Sequence, residues 1–266
     1  MPLHVQIAVR LARCMAIAGA GLLLIAGVAG CAQAAGCRFE PQGDGRVADL
    51  IDARSFRLDD GREVRLAGIE PVAAEQARDS TALASIIGGR EVTLRGPDDT
   101  PDRYGRQSAF VFLAGSETPV QSLLLAQGAA LVSGTIANQD CALLLTAAEA
   151  AARQAKQGIW ADPSAIKSAE SPDDILTGIG RFTVVEGRVL SVRQAGSVTY
   201  LNFGRNWTRG FAVTIPNRVL AGFAAAGIVV NSLERRRIRV RGFVEAQRGP
   251  RIELLQVGQM EVLSGN

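Results

Sequence analysis

Histidine is all but missing from this chain. Its 266 residues contain one, His4, which falls in a leading segment that reads as an export signal. A mature chain without histidine excludes His-based general bases, Ser–His and Cys–His triads, and every His-ligated zinc or iron site. Lysine is nearly as scarce, with Lys156 and Lys167 alone. Proton transfer is left to Asp, Glu, Tyr or those two lysines. A strong excess of one charge is also lacking: the net charge is +3, and Arg10 and Arg13 of the leading segment supply two of those units. Bulk charge therefore carries no case for a nucleic-acid partner, which must rest on where the arginines sit. With 47% apolar and 21% charged residues the composition is globular, and the length suffices for two modest domains with a core each.

Arg10 and Arg13 precede an apolar run from Met15 to Ala29, followed by small residues, the layout of a secretory signal over residues 1–35. Ala32-Gln33-Ala34 fits an ordinary cleavage site. Val28-Ala29-Gly30-Cys31 resembles a bacterial lipoprotein box that would leave a lipidated Cys31, and the uncharged run from Cys14 to Cys37 is long enough for an uncleaved anchor. All three place the domains outside the cytoplasm, in the periplasm or secreted, and membrane contact is expected only through the lipid or the uncleaved signal. Either cleavage leaves Cys37 and Cys141 as a pair. In an oxidising compartment they read as one disulfide, the alternative being two buried thiols.

Three short strands open the first domain: Arg46–Ile51, Ser55–Leu58 and Glu63–Ile69, with Asp59-Asp60-Gly61 turning the second onto the third. A helical run over 73–87 ends at Gly88-Gly89, and strands follow at 90–95 and 107–113 across a polar loop. Three strands, a helix and two strands is the order of a five-stranded Greek-key OB barrel. Helices over 120–127 and 138–157 then pack on it, and Ile159-Trp160 completes the core.

Val64-Arg-Leu-Ala-Gly-Ile-Glu70, Asp102-Arg-Tyr-Gly-Arg106 and the Lys156-Gln-Gly-Ile-Trp160 ending resemble, in order and spacing, the staphylococcal nuclease (thermonuclease) domain. The resemblance implies phosphodiester hydrolysis assisted by calcium, with two arginines gripping the phosphate. Arg65 and Arg106 match those arginines, Tyr104 a tyrosine near the substrate, and Glu70 one metal-binding carboxylate. An arginine's planar fork suits phosphate oxygens. The rest of the motif departs. Asp52-Ala53-Arg54 puts Arg54 where a second metal carboxylate belongs, and the general-base glutamate falls on Ala73, leaving Glu75, two residues later, as the nearest catalytic carboxylate. Exchanging a carboxylate for a guanidinium shifts local charge by two units, each worth about 4 kcal/mol at about 4 Å and an effective dielectric of about 20. Calcium should be disfavoured, and Arg54 can serve as the cation beside a phosphate instead. The plainer alternative is an ion-pair network at the barrel mouth.

Residues 161–177, rich in Asp, Pro, Ser and Ala, read as a linker between a first domain at 38–160 and a second at 178–264. The second repeats the element order of the first and resembles a small OB-fold nucleic-acid-binding domain. Arg235, Arg237, Arg239 and Arg241 alternate with Ile238 and Val240, so they share one strand face, and Tyr200, Phe203, Trp207 and Phe211 lie near a second edge. Arginines and aromatics along a groove bind single strands by charge and stacking; a solvated strand face over a core holding the aromatics is the alternative. The fold class expected is mainly β with packed helices, two OB-type barrels. Three readings stay open: an exported nuclease-like protein that binds nucleic-acid phosphodiesters, with or without hydrolysing them; a catalytically impaired envelope protein binding nucleic acid or another polyanion; and a structural envelope protein using the barrels for protein contacts. The partner is DNA or RNA, single-stranded or flexible, and no protein partner is predicted.

Overall fold

The computed structural model of the chain describes residues 37, 39–72, 76–206 and 208–263. The expected signal at 1–35, Ala73, the catalytic candidate Glu75 and the stacking candidate Trp207 lie outside them.

Strands β1 (Pro41–Asp52), β2 (Ser55–Leu58) and β3 (Glu63–Leu66) form a meander that a short β4 (Ile69–Glu70) follows. Helix α1 (Gln76–Ile87), strands β5 (Glu91–Arg95) and β6 (Arg106–Leu113), helix α2 (Val120–Ala126), strand β7 (Leu131–Val132) and helix α3 (Gln139–Gln154) complete the first half. The five long strands close into a barrel in the order β1-β2-β3-β6-β5, with β3 and β6 parallel and the other neighbours antiparallel. Alternation drives this: Val64, Leu66, Ala109 and Val111 point inward and are buried, with Phe56, Leu58 and Leu94 beside them in one core. The fold class is mainly β with packed helices, as expected.

The strand expected to run unbroken from Glu63 to Ile69 stops at Leu66. Gly68 has a φ of 79°, and a Cβ there would meet Ile136 and Leu145 at 3.0 to 3.2 Å. This glycine turn sends Ile69 and Glu70 away to pair with Val132 and Leu131. Cys37 and Cys141 form the disulfide, which ties the chain ahead of β1 to the first turn of α3.

The second half begins earlier than the sequence suggests. The stretch at 161–177 is not a free linker: it holds β8 (Ile166–Ser168), parallel to β9 (Phe182–Arg188), and helix α4 (Pro172–Leu176), whose Ile175 is fully buried in the second core. Strands β10 (Ser191–Ala195), β11 (Val198–Asn202) and β12 (Ala212–Pro216), helix α5 (Leu220–Ala225), and strands β13 (Arg237–Gln247), β14 (Gly249–Glu253) and β15 (Met260–Val262) follow. Where the first half closes a barrel, these strands form an eight-stranded sheet in the order β10-β11-β12-β14-β13-β9-β8, with β15 beside β13. β10-β11-β12 is antiparallel, β12 is parallel to β14, β14 is antiparallel to β13, and β13 is antiparallel to β9. Between β9 and β10, Val189 donates to the Arg236 carbonyl and Leu190 to that of Asn202. Phe203 and Phe211, two of the aromatics weighed for stacking, lie in the second core. Trp160 lies in a third cluster with Val72 and Leu131 of the first half and Phe182 and Val184 of the second.

Candidate nucleic-acid interface

The parity that buries Val64 and Leu66 turns Glu63 and Arg65 outward, and on β6 it does the same for Arg106 and Ser108. In the parallel pairing Arg65 stands opposite Ser108 and Arg106 opposite Glu63. The two arginines therefore share the outer face of neighbouring strands, one pleat repeat apart, about 7 Å along the strand. A buried glutamine holds this pair of strands together. Gln121 of α2 accepts from the Val111 N–H and donates to the carbonyls of Ala67 and Ala109 at 3.2 and 2.9 Å.

Arg54 comes from the turn between β1 and β2. Its N–H donates to Asp52 Oδ1 at 2.8 Å, and its carbonyl accepts from Leu66 N–H at 2.8 Å, which fixes the turn against β3. Its guanidinium pairs with the Glu70 carboxylate and donates to the Ile69 carbonyl at 3.2 Å. Both partners of that pair are mostly buried, with side chains 15% and 14% exposed, so neither is free to leave without the other.

Arg106 is clamped by its own loop. Asp102 Oδ2 accepts from Arg106 Nε and Nη2 at 3.0 and 2.8 Å, and Oδ1 accepts from the backbone N–H groups of Tyr104 and Arg106. These bonds, the side-chain one to Arg106 foremost, hold the Asp102 carboxyl well below its ordinary value, at about 2. The clamp uses one N–H of Nε and one of Nη2 and leaves the other donors of the fork open. Tyr104 is exposed, its ring 4.7 Å from the Arg103 guanidinium carbon and 5.0 Å from that of Arg106.

Arg65 differs from both. It is half-buried, and among the described residues its guanidinium makes no hydrogen bond or ion pair. Burial lowers its pKa from the usual value, Arg54 lowers it further, Glu70 opposes, and Arg106 lowers it again. The ion-pair alternative thus describes Arg54 and Arg106 and fails for Arg65. Three arginines from three elements converge, and the middle one lacks an anion.

The calcium implied by the sequence resemblance does not fit this donor set. A hard cation needs several carboxylate or carbonyl oxygens around one point. Glu70 is taken by Arg54, and among the described residues no three acidic side chains gather.

Residues 71–162 match the family model described as staphylococcal nuclease homologue. This part of the chain is a staphylococcal nuclease-like domain. No curated protein matches the chain. At the level of the family, the nuclease-like domain supports nucleic-acid binding. Tyr104 and Arg106 fall within the matched segment, while Arg54 of the β1–β2 turn, Arg65 of β3 and Glu70 of β4 precede it.

The arginine row of the second half is placed otherwise than the sequence suggests. Arg235, Arg237, Arg239 and Arg241 do alternate, but Arg237, Arg239 and Arg241 are taken up by carboxylates, and Arg241 reaches α3 of the nuclease-like domain, while Arg235 and Arg237 stay exposed. Arg241 is 2% exposed: its Nη1 donates to both oxygens of Glu149, at 3.0 and 2.8 Å, and its Nη2 to Glu261 at 2.6 Å. Arg239 bridges Glu186 and Glu261, and Arg237 pairs with Glu186. Arg235 sits in a turn at φ 65°, its N–H donating to the Val189 carbonyl. Strand alternation reads which residues share a face but not what covers it. Glu149, a carboxylate in the middle of an otherwise apolar helix stripe, was the one available signal for this.

Proposed function

We propose that the nuclease-like domain binds nucleic-acid phosphodiesters on the outer face of its barrel, at Arg65 with Arg106 and Arg54, and does so without calcium. The observation that carries this is the unpaired, half-buried guanidinium of Arg65 between two other arginines. A phosphate there receives parallel N–H donors and relieves the mutual repulsion of the cations. The Arg54–Glu70 pair supplies a fixed positive group where a metal would otherwise neutralise the phosphate. Hydrolysis needs a base for the attacking water, and each described carboxylate beside Arg65 already has a partner: Glu70 and Asp52 on Arg54, Asp102 on Arg106. This favours binding over cutting. The reading extends to the compartment. The disulfide and the signal-like leading segment both support a protein that works outside the cytoplasm.

Fluorescence anisotropy with a labelled oligonucleotide tests the site. Arg65→Ala and Arg106→Ala should each weaken binding by about tenfold, the scale of a lost charge-assisted pair. Affinity should be the same with calcium and with a chelator. Unchanged affinity in both variants removes the site, and digestion of DNA or RNA that a chelator abolishes overturns the metal-free reading.

A further inference from the structure

The second half carries a trough of about 640 Å³ on the outer face of β10, β11, β12 and β14. This is within the range of about 300–1,000 Å³ typical of sites for one small ligand. Leu201, Val213 and Ile252 point into the core, so their neighbours point out. Register then sets the lining. Arg193 is opposite Tyr200, which is opposite Thr214, and Asn202 is opposite Ala212, which is opposite Arg251. The small side chains of Ala212 and Thr214 make the floor, and the Gln247–Gly249 turn makes a wall.

The lining contains three arginines and no carboxylate. Arg251 is held in place by Glu245 at 2.8 Å and Gln247 at 2.6 Å. The side chains of Arg193 and Arg248 have no hydrogen bond or ion pair among the described residues. Beside Arg193 on the neighbouring strand lies one half-buried aromatic ring, Tyr200. Asn202 spends its Nδ2 on Ser191 Oγ at 3.1 Å, which leaves its Oδ1 as an acceptor, and the buried hydroxyl of Thr214 has no partner. The ligand these groups describe is anionic, has a flat face, and carries a polar edge with a donor. We infer that the trough takes a nucleotide unit of single-stranded nucleic acid, its base on Tyr200 with an edge toward Asn202, its phosphates between Arg193 and Arg248.

The inference does not rest on the site of the nuclease-like domain, and its test is arranged to keep the two apart. The full chain carrying Arg65→Ala and Arg106→Ala is titrated with short fluorescein-labelled oligothymidylate, whose base offers an imino donor. Binding should persist in that background. Adding Arg193→Ala with Arg248→Ala should weaken it about tenfold or more and lower the slope of log affinity against log salt by about 1.4, two phosphate contacts at about 0.7 each. Tyr200→Ala should weaken it about tenfold, while Tyr200→Phe keeps the affinity. Ala212→Trp, which fills the floor without altering charge, should block binding while circular dichroism stays unchanged. No binding in the starting background, unchanged affinity in the arginine or Ala212→Trp variants, or equal competition by inorganic polyphosphate would overturn the inference.

Discussion

Replacing Arg65 with alanine should separate binding from stability. In the free protein this guanidinium is desolvated and faces Arg54 and Arg106 without a contact partner. Its removal should leave the unliganded protein unchanged or up to about 0.5 kcal/mol more stable, a figure already discounted for its half exposure. A urea midpoint that falls clearly in Arg65→Ala would mean that the group holds the barrel together instead. Asp102 offers a test by pH. Its folded pKa, about 2, lies below the ordinary Asp value, so its contribution is complete above that ordinary value and is lost as pH falls through about 2. Carbon-detected NMR should find its carboxyl midpoint near 2, and a midpoint near 4 would break the Arg106 clamp. At this scale much could be read in advance. The outward parity of Arg65 and Arg106 follows from alternation with Val64, Leu66 and Gln107. The Arg54–Glu70 pair did not follow, because it depends on a turn and a two-residue strand meeting across the barrel.

Among the elements, those with a strong local signal emerged where the pattern placed them. The β2–β3 hairpin turns at Asp59-Asp60-Gly61, with Leu58 N–H bonded to the Arg62 carbonyl and Gly61 at a φ of 88°. Helix α3 starts at Asn138, whose side chain accepts from the Cys141 N–H. Elements of two to five residues, such as β4, β7, β8, β15 and α4, have too few positions to show a period, and tertiary pairing alone defines them. The disulfide acts at this scale, since it fastens the start of α3 to the chain just ahead of β1. It closes a separation of 104 residues, worth about 4–5 kcal/mol in the chain-entropy model. Reduction, or Cys37→Ser with Cys141→Ser, should lower the melting temperature by about 5–10 °C, allowing for the usual shortfall from that ceiling. A melting curve unmoved by reductant would show that α3 docks without help.

For the whole molecule, the pair that matters spans the two halves. Glu149, fully buried on α3, accepts from the Val132 N–H at 2.8 Å and from Arg241 of β13. Removing Glu149 takes one of the two carboxylates from a buried guanidinium and leaves it Glu261 alone, so Glu149→Ala should cost about 3 kcal/mol, the lower end for a broken buried pair. Replacing both, as Glu149→Leu with Arg241→Met, should recover part of that loss. A denaturant-based double-mutant cycle measures the difference, and additive losses would show that the pair is not coupled. Two cores, a shared cluster around Trp160 and this ion network make one body of what the composition of residues 161–177 divides into two domains.

A practical consequence follows for anyone who wants the nuclease-like portion by itself. Cutting the polypeptide after Trp160 would take Arg241 from the hidden carboxylate of α3, leaving it Arg153 at 3.8 Å, and lay bare the side of the tryptophan that meets Phe182 and Val184. The shortened product should be poorly soluble. Its failure to cleave or to bind would then say nothing about the intact barrel, which leans on a guanidinium 92 residues beyond Glu149.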